Sequence, residues 1–288
     1  MLALLALQAT IAGAASPMIS GDWLVACDER RRCTALSQVP VGAAADDHPL
    51  VVLRDDGTGA VLDVPIPKAV AQGRRVALAV DGRTIAELVA PGGGGGLSLP
   101  FAGAVASALR RGRVMTVAGA RVSLRGLGAV LATIARVQKA PAVASPTILI
   151  PPRDPRPPRT LSRKQLNRLA GKPRAGCAPP ATRAYRLDAA HSLLEVTAPC
   201  AGAAVPYILG EAGEAQPASF DPPLAGAGVW DPTAFRYRVL LPATPGRDCG
   251  RRRAYAWDGA RFQLAEERLI AECRRATYEI ATYRADIR

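Results

Sequence analysis

The chain has 288 residues, 49% of them hydrophobic and only 5% aromatic, which excludes disorder throughout and demands a core built mainly from Ala, Val and Leu. That length suits two domains better than one. The formal charge is +13, carried by 33 Arg against four Lys. Such a balance points to an anionic partner (nucleic acid, lipopolysaccharide, phospholipid or peptidoglycan) or merely to a GC-rich genome, since Ala, Gly and Pro are abundant too.

Residues 1–15 read MLALLALQATIAGAA, an apolar run ending in small residues with Ala12-Gly13-Ala14 as a cleavage box. This is the pattern of a secretory signal, although without a basic n-region, and it predicts a mature chain in the periplasm. The run is too short to span a bilayer, and no later stretch reaches the about 18 apolar residues a spanning helix needs. Leu24-Val25-Ala26-Cys27 matches a lipoprotein box, but Ser20 to Trp23 separate it from the apolar run and lipidation would leave an odd cysteine.

A first β-rich domain is expected over 16–140. Strands are predicted at 21–27 and 33–38, at 48–54 and 60–64 around an Asp-Gly-rich turn, and at 75–80 and 83–89 around Asp81-Gly82, a hairpin signal. The turn at 55–59 lacks the ligand spacing of an EF-hand. The glycine run 92–96 lacks the Lys-Ser/Thr or strand–helix setting of a phosphate loop. Helices are predicted at 101–111 and 124–139, the second from Leu124, Leu127, Leu131, Ile134 and Val137, with a strand at 114–117 between them. Residues 141–160 carry seven prolines and read as a semi-rigid linker.

A second β-rich domain is expected over 161–288. Ser162 can cap a short helix at 163–170, and strands follow at 184–187, 193–197, 205–209 and 235–241. Arg253 to Trp257 then alternates as a half-buried strand, Asp258-Gly259 offers a two-residue type I′ turn, and 261–264 returns. The expected fold is therefore mainly β: two antiparallel β-rich domains with a few helices, stapled by disulfides.

The six cysteines, Cys27, Cys33, Cys177, Cys200, Cys249 and Cys273, contain no C-x-x-C, and two histidines in the whole chain make zinc unpromising. Behind an export signal an even count reads as three disulfides. Of the roughly 15 pairings open to six cysteines, the sequential one keeps every bridge local, at about 2–3.5 kcal/mol each. No cofactor is implied. His191 near Asp188 and Ser192 lies in a turn and lacks a nucleophile elbow. Asp221, Asp231, Glu266 and Glu267 could furnish a carboxylate pair, but sequence alone does not bring them together. The constellations that suit ligand binding are basic: Arg30-Arg31-Arg32 inside the small Cys27–Cys33 loop, and Arg251-Arg252-Arg253 beside the Tyr255/Trp257 strand.

These residues carry a resemblance. Asp22-Trp23, Cys27-Asp28 and Cys33 near the start, with Gly246-x-Asp248-Cys249-Gly250, Trp257-Asp258-Gly259, Phe262 and Cys273-Arg274 near the end, resemble a proteobacterial exported family catalogued as domain of unknown function eleven-seventy-six. Arg275 and Tyr278 stand where that family tends to place a glycine and a tryptophan. The stretch from Gly21 to Gln38 also resembles the invasion-associated locus B family. The resemblance implies a periplasmic, disulfide-containing protein and supplies no activity. The function expected is non-catalytic, binding or structural, with an anionic envelope lipid or glycan as partner and no nucleic acid. The alternatives are an envelope hydrolase using a carboxylate pair, or a nucleic-acid-binding protein if the chain is not exported.

Overall fold

The computed structural model of the chain describes residues 16–39, 49–66, 69–91, 95–141, 143–172, 175–243, 249–273 and 277–288. The signal segment, His48, most of the glycine run, Gly246, Asp248, Arg274 and Arg275 lie outside the described residues. The expected class holds: the chain is mainly β, with several antiparallel sheets, three helices among the described residues, and three disulfides.

In chain order the first half forms β1 (Met18–Ser20), β2 (Trp23–Cys27), β3 (Cys33–Ser37), β4 (Val52–Asp55), β5 (Ala60–Pro65), β6 (Arg75–Val80), β7 (Arg83–Val89), β8 (Gly96–Pro100), α1 (Gly103–Arg111), β9 (Val114–Val117), β10 (Ala120–Ser123) and α2 (Leu127–Lys139). Strands β1-β2-β3-β4-β5-β8 make one antiparallel sheet, and β10-β9-β6-β7 a second. Asp81 and Gly82 both take positive φ, 48° and 81°, so the β6–β7 turn is the two-residue form its sequence predicts. Helix α2 begins at Leu127 rather than 124. Gly126 takes a left-handed φ of 94° and packs so closely on Ser20 that a Cβ would lie 1.7 Å from that carbonyl oxygen.

The second half contributes β11 (Thr147–Ile148), α3 (Arg163–Ala170), β12 (Ala181–Arg186), β13 (Ser192–Thr197), β14 (Val205–Leu209), β15 (Ala215–Pro217), β16 (Phe220–Asp221), β17 (Gly228–Asp231), β18 (Arg236–Leu241), β19 (Arg251–Trp257), β20 (Phe262–Glu272), β21 (Tyr278–Arg284) and β22 (Asp286–Ile287). Strands β12-β13-β14-β15 form one sheet and β16-β20-β19-β18-β17 another, with β21 added along β20. Ser162 caps α3 in a reciprocal capping box with Gln165. The cysteines pair sequentially, 27–33, 177–200 and 249–273.

The β19–β20 connection departs from the sequence expectation. Trp257 pairs with Phe262, which leaves a four-residue loop in which Gly259 has positive φ (100°) and Asp258 does not. Asp258 instead uses its carboxylate to accept the amides of Ala260 and Arg261, each at 2.8 Å. The side chain caps the loop, so the backbone has no need of a type I′ turn.

The two halves share a core. Along β2 and β3, Trp23, Val25, Cys27, Cys33 and Ala35 face the first half's own interior, whereas Leu24, Ala26 and Leu36 face outward. Those outward residues, with Val52, pack against Leu269, Ala271 and Ile280 of β20 and β21. The proline-rich stretch lies along the second half. Thr147–Ile148 pairs in parallel with Asp286–Ile287, Arg153 stacks over the Phe235 ring at 4.4 Å, and Asp154 accepts Arg186 Nε and Nη2 at 3.0 and 2.8 Å.

Candidate anion-binding cleft

Period-two alternation decides where the arginines go. On β18, Tyr237 and Val239 point into the second-half core, so Arg236 and Arg238 point to the opposite face. On β19, Arg251, Arg253, Tyr255 and Trp257 share the core side and Arg252 and Ala254 the other. Strand β20 carries a bulge: Tyr255 opposes Leu264 and Ala254 opposes Glu266, so Ala265 is left over between them. The bulge shifts the phase of the strand and brings Ala265, Glu266 and Arg268 onto the outer face. Strand β21 adds Glu279 and Arg284.

The result is an open cleft of about 570 Å³ on the outer face of this sheet. Its walls hold five guanidiniums (Arg236, Arg238, Arg252, Arg268, Arg284) against two carboxylates, Glu266 and Glu279. Its floor is Ala234, Ala254, Ala265 and Ala285, with Ile287 of β22 at one side. Four of the arginines have carboxylate partners. Arg238 meets Asp231 at 2.8 Å and Arg252 meets Glu279 at 2.8 Å. Arg268 lies 2.7 Å from Glu266 and 4.0 Å from Glu279, and Arg284 lies 3.5 Å from Glu266. The hydrogen bond that Arg268 donates to Glu266 makes it hold its proton more firmly than usual.

Arg236 differs. Its Nη1 donates to the carbonyl of Phe235 at 2.8 Å, and among the described residues no carboxylate stands within ion-pair distance of it. Burial, and then the like charge of Arg153, lower its hold on its proton. It remains a cation, since an arginine starts so far above neutrality.

No protein-family model and no curated protein matches the chain. Among solved structures it is similar to the crystal structure of invasion associated protein B from Bartonella henselae, at 18% identity and a TM-score of 0.37, over 44% of this chain and 100% of that one. A likeness of that degree carries neither fold nor function across.

The two basic triplets named from sequence are divided by the fold. Arg252 lines the cleft, but Arg251 and Arg253 turn to the core side and bracket the buried Glu267 at 3.2 and 2.6 Å, where Thr282 also donates. In the other triplet, Arg32 returns to Asp28 and Arg31 reaches the Gln138 carbonyl. Arg30 bonds Ser145 and Asp286, beside the β22 residue that borders the cleft. The loop's neighbouring Glu29, 2% exposed, accepts Ser145 Oγ and the Arg284 amide and so fastens the Cys27–Cys33 loop to β21.

The four carboxylates considered from sequence are apart in role. Glu266 is in the cleft and Glu267 on the opposite face, Asp231 holds Arg238, and Asp221 lies 3.4 Å from Arg261. His191 Nδ1 does meet Asp188, at 2.9 Å, but Ser192 Oγ accepts the Arg159 amide. Asp188 also accepts Trp257 Nε1, so the pair locks a turn onto the core. Sequence reasoning missed Arg236 and Arg238, although their i, i+2 spacing in a predicted strand was a usable signal. It missed Glu279 and Arg284 because it predicted no strand there.

Proposed function

We propose that this is a non-catalytic exported protein of the cell envelope, whose role is to bind an anionic envelope component through the arginine cleft. The observation that carries the reading is the convergence of five guanidiniums on one face around a small apolar floor, with an excess of three positive charges. Guanidinium forks recognise phosphate and carboxylate oxygens, and a concave basic surface raises the local concentration of anions. The sequential disulfides suit an oxidising compartment, which supports export to the periplasm. Among the described residues no helix is long and apolar enough to cross a membrane.

The test is co-sedimentation of the purified protein with outer-membrane lipid, with anionic phospholipid vesicles and with peptidoglycan sacculi, at low and high salt. Binding to one of these should weaken steeply as salt rises. It should be lost in the triple variant Arg236→Gln, Arg252→Gln, Arg284→Gln. Salt-independent binding, or full binding by the triple variant, refutes the reading.

A further inference from the structure

The cleft's charges are not equivalent, and the inequality narrows what it can hold. Arg238, Arg252, Arg268 and Arg284 each face a carboxylate that partly matches their charge. Arg236 is half-buried, its one hydrogen bond goes to a neutral carbonyl, and Arg153 adds a second cation close by. Glu266 attracts it only from beyond ion-pair distance. A guanidinium half withdrawn from water without an ion pair is unfavourable where it stands, and an anion entering beside it removes that penalty.

A simple carboxylate is a poor candidate for that anion. Glu266 and Glu279 already offer carboxylates to these arginines from within the fold, at the high effective concentration that tethering gives. A ligand bringing the same group exchanges like for like. A phosphomonoester brings about −1.5 to −2 charges and three terminal oxygens. It can therefore engage Arg236 bidentately and still reach a second fork without displacing either glutamate. The floor adds a size and a polarity. Ala254, Ala265 and Ala285 present short apolar side chains beside Ile287. Such a floor fits the C–H face of a sugar ring, and the 570 Å³ falls within the range of small-ligand sites.

We infer that the cleft is a site for a phosphomonoester carried on a sugar-sized polar group, with Arg236 as its anchor. This rests on the anion-binding reading above. The phosphate can be that of a soluble glycan or of a lipid headgroup, since both present the same oxygens to the same forks.

Calorimetric titration of the full chain at low and at high salt, the two ligands compared at matched ionic strength, with glucose 1-phosphate and with glucuronate as the carboxylate of matched size, tests the inference. Glucose 1-phosphate should bind about tenfold more tightly or better. Arg236→Gln should remove most of that preference, while Arg75→Gln, an exposed residue of the first half, should change nothing. Equal affinity for the two ligands overturns the inference, and so does unchanged phosphate binding by Arg236→Gln. If that variant does not fold, the preference of the natural chain decides alone. Vesicles of phosphatidylcholine doped with phosphatidic acid, against the same lipid doped with phosphatidylglycerol, separate the sources. Preference for phosphatidic acid marks a lipid-borne ligand, and glucose 1-phosphate binding without vesicle binding marks a soluble one. Both outcomes support the inference. Salt-sensitive binding of glucuronate with none of glucose 1-phosphate removes the phosphate inference but leaves the anion-binding cleft. Absence of any salt-sensitive anion binding removes both.

Discussion

Asp188 is the residue whose replacement most sharply tests the physical account of the second half. It lies in the β12–β13 turn, 6% exposed, and uses both oxygens. Oδ1 accepts the amides of Ala190 and His191, each at 2.8 Å, and His191 Nδ1 at 2.9 Å; Oδ2 accepts Trp257 Nε1 at 2.7 Å. Asp188→Asn keeps the shape but replaces one acceptor with an NH₂ donor. If the remaining oxygen serves the turn, the amide faces the indole N–H, donor against donor. Trp257 is 1% exposed, so its N–H has no route to water. A buried unsatisfied donor costs about 1–3 kcal/mol, and the surviving bonds lose their charge assistance. The sum is about 3 kcal/mol, or a fall in urea midpoint near 1 M at a slope of about 3 kcal/mol per M. Urea titration followed by circular dichroism measures it. In a Trp257→Phe background the cost of Asp188→Asn should shrink by about 1–2 kcal/mol, because no donor is left to orphan. A loss below about 0.5 kcal/mol, or no coupling in that cycle, refutes the reasoning.

The same residue sets a pH dependence. Burial by itself raises the Asp188 pKa, but the bonds from Trp257, Ala190 and His191 outweigh it and the folded value is lowered. A carboxylate with a depressed folded pKa stabilises above its unfolded value, near 3.9, and loses that contribution as the pH falls through the folded value. The gap between the natural chain and Asp188→Asn should therefore be widest near neutrality and close below about pH 4.

Replacing Glu267 by Gln should cost about 3–5 kcal/mol, since Arg253, with a side chain 17% exposed, then keeps a buried charge without its counter-ion. Arg252→Gln, from the same triplet, should change stability by less than about 1 kcal/mol because Arg252 is half exposed and Glu279 keeps Arg268 at 4.0 Å as a second cation. Chemical denaturation of both variants checks the contrast, and similar costs would contradict the assigned faces. Glu29→Ala orphans the Arg284 amide, so hydrogen exchange at that amide should accelerate at least about tenfold, as befits a loss of at least 1.4 kcal/mol. Intact mass of protein recovered from the producing cell, before and after reduction, should show a chain beginning near Ala15 or Ser16 that gains six hydrogens from three disulfides. A retained Met1 with free thiols would remove the export proposal.

Local chemistry determined what the sequence by itself could show. Alternation and turn residues marked the β2–β3 and β6–β7 hairpins, Ser162 marked the start of α3, and cysteine spacing favoured the local pairing that the structure has. These signals are legible because each is decided within one short stretch of chain, the longest being the disulfide separation of 24 residues. The faces of β2 and β3 were not legible in full. Leu24, Ala26 and Leu36 look like ordinary members of an apolar strand, and only the approach of β20 and β21 makes their side a second core. The cleft was hidden for the same reason. Its arginines come from β18, β19, β20 and β21, spread along the chain from 236 to 284, and a single bulge at Ala265 decides which face Glu266 and Arg268 occupy. Charge was visible in the composition, but its convergence depends on strand order and phase, which long-range pairing sets and local sequence does not.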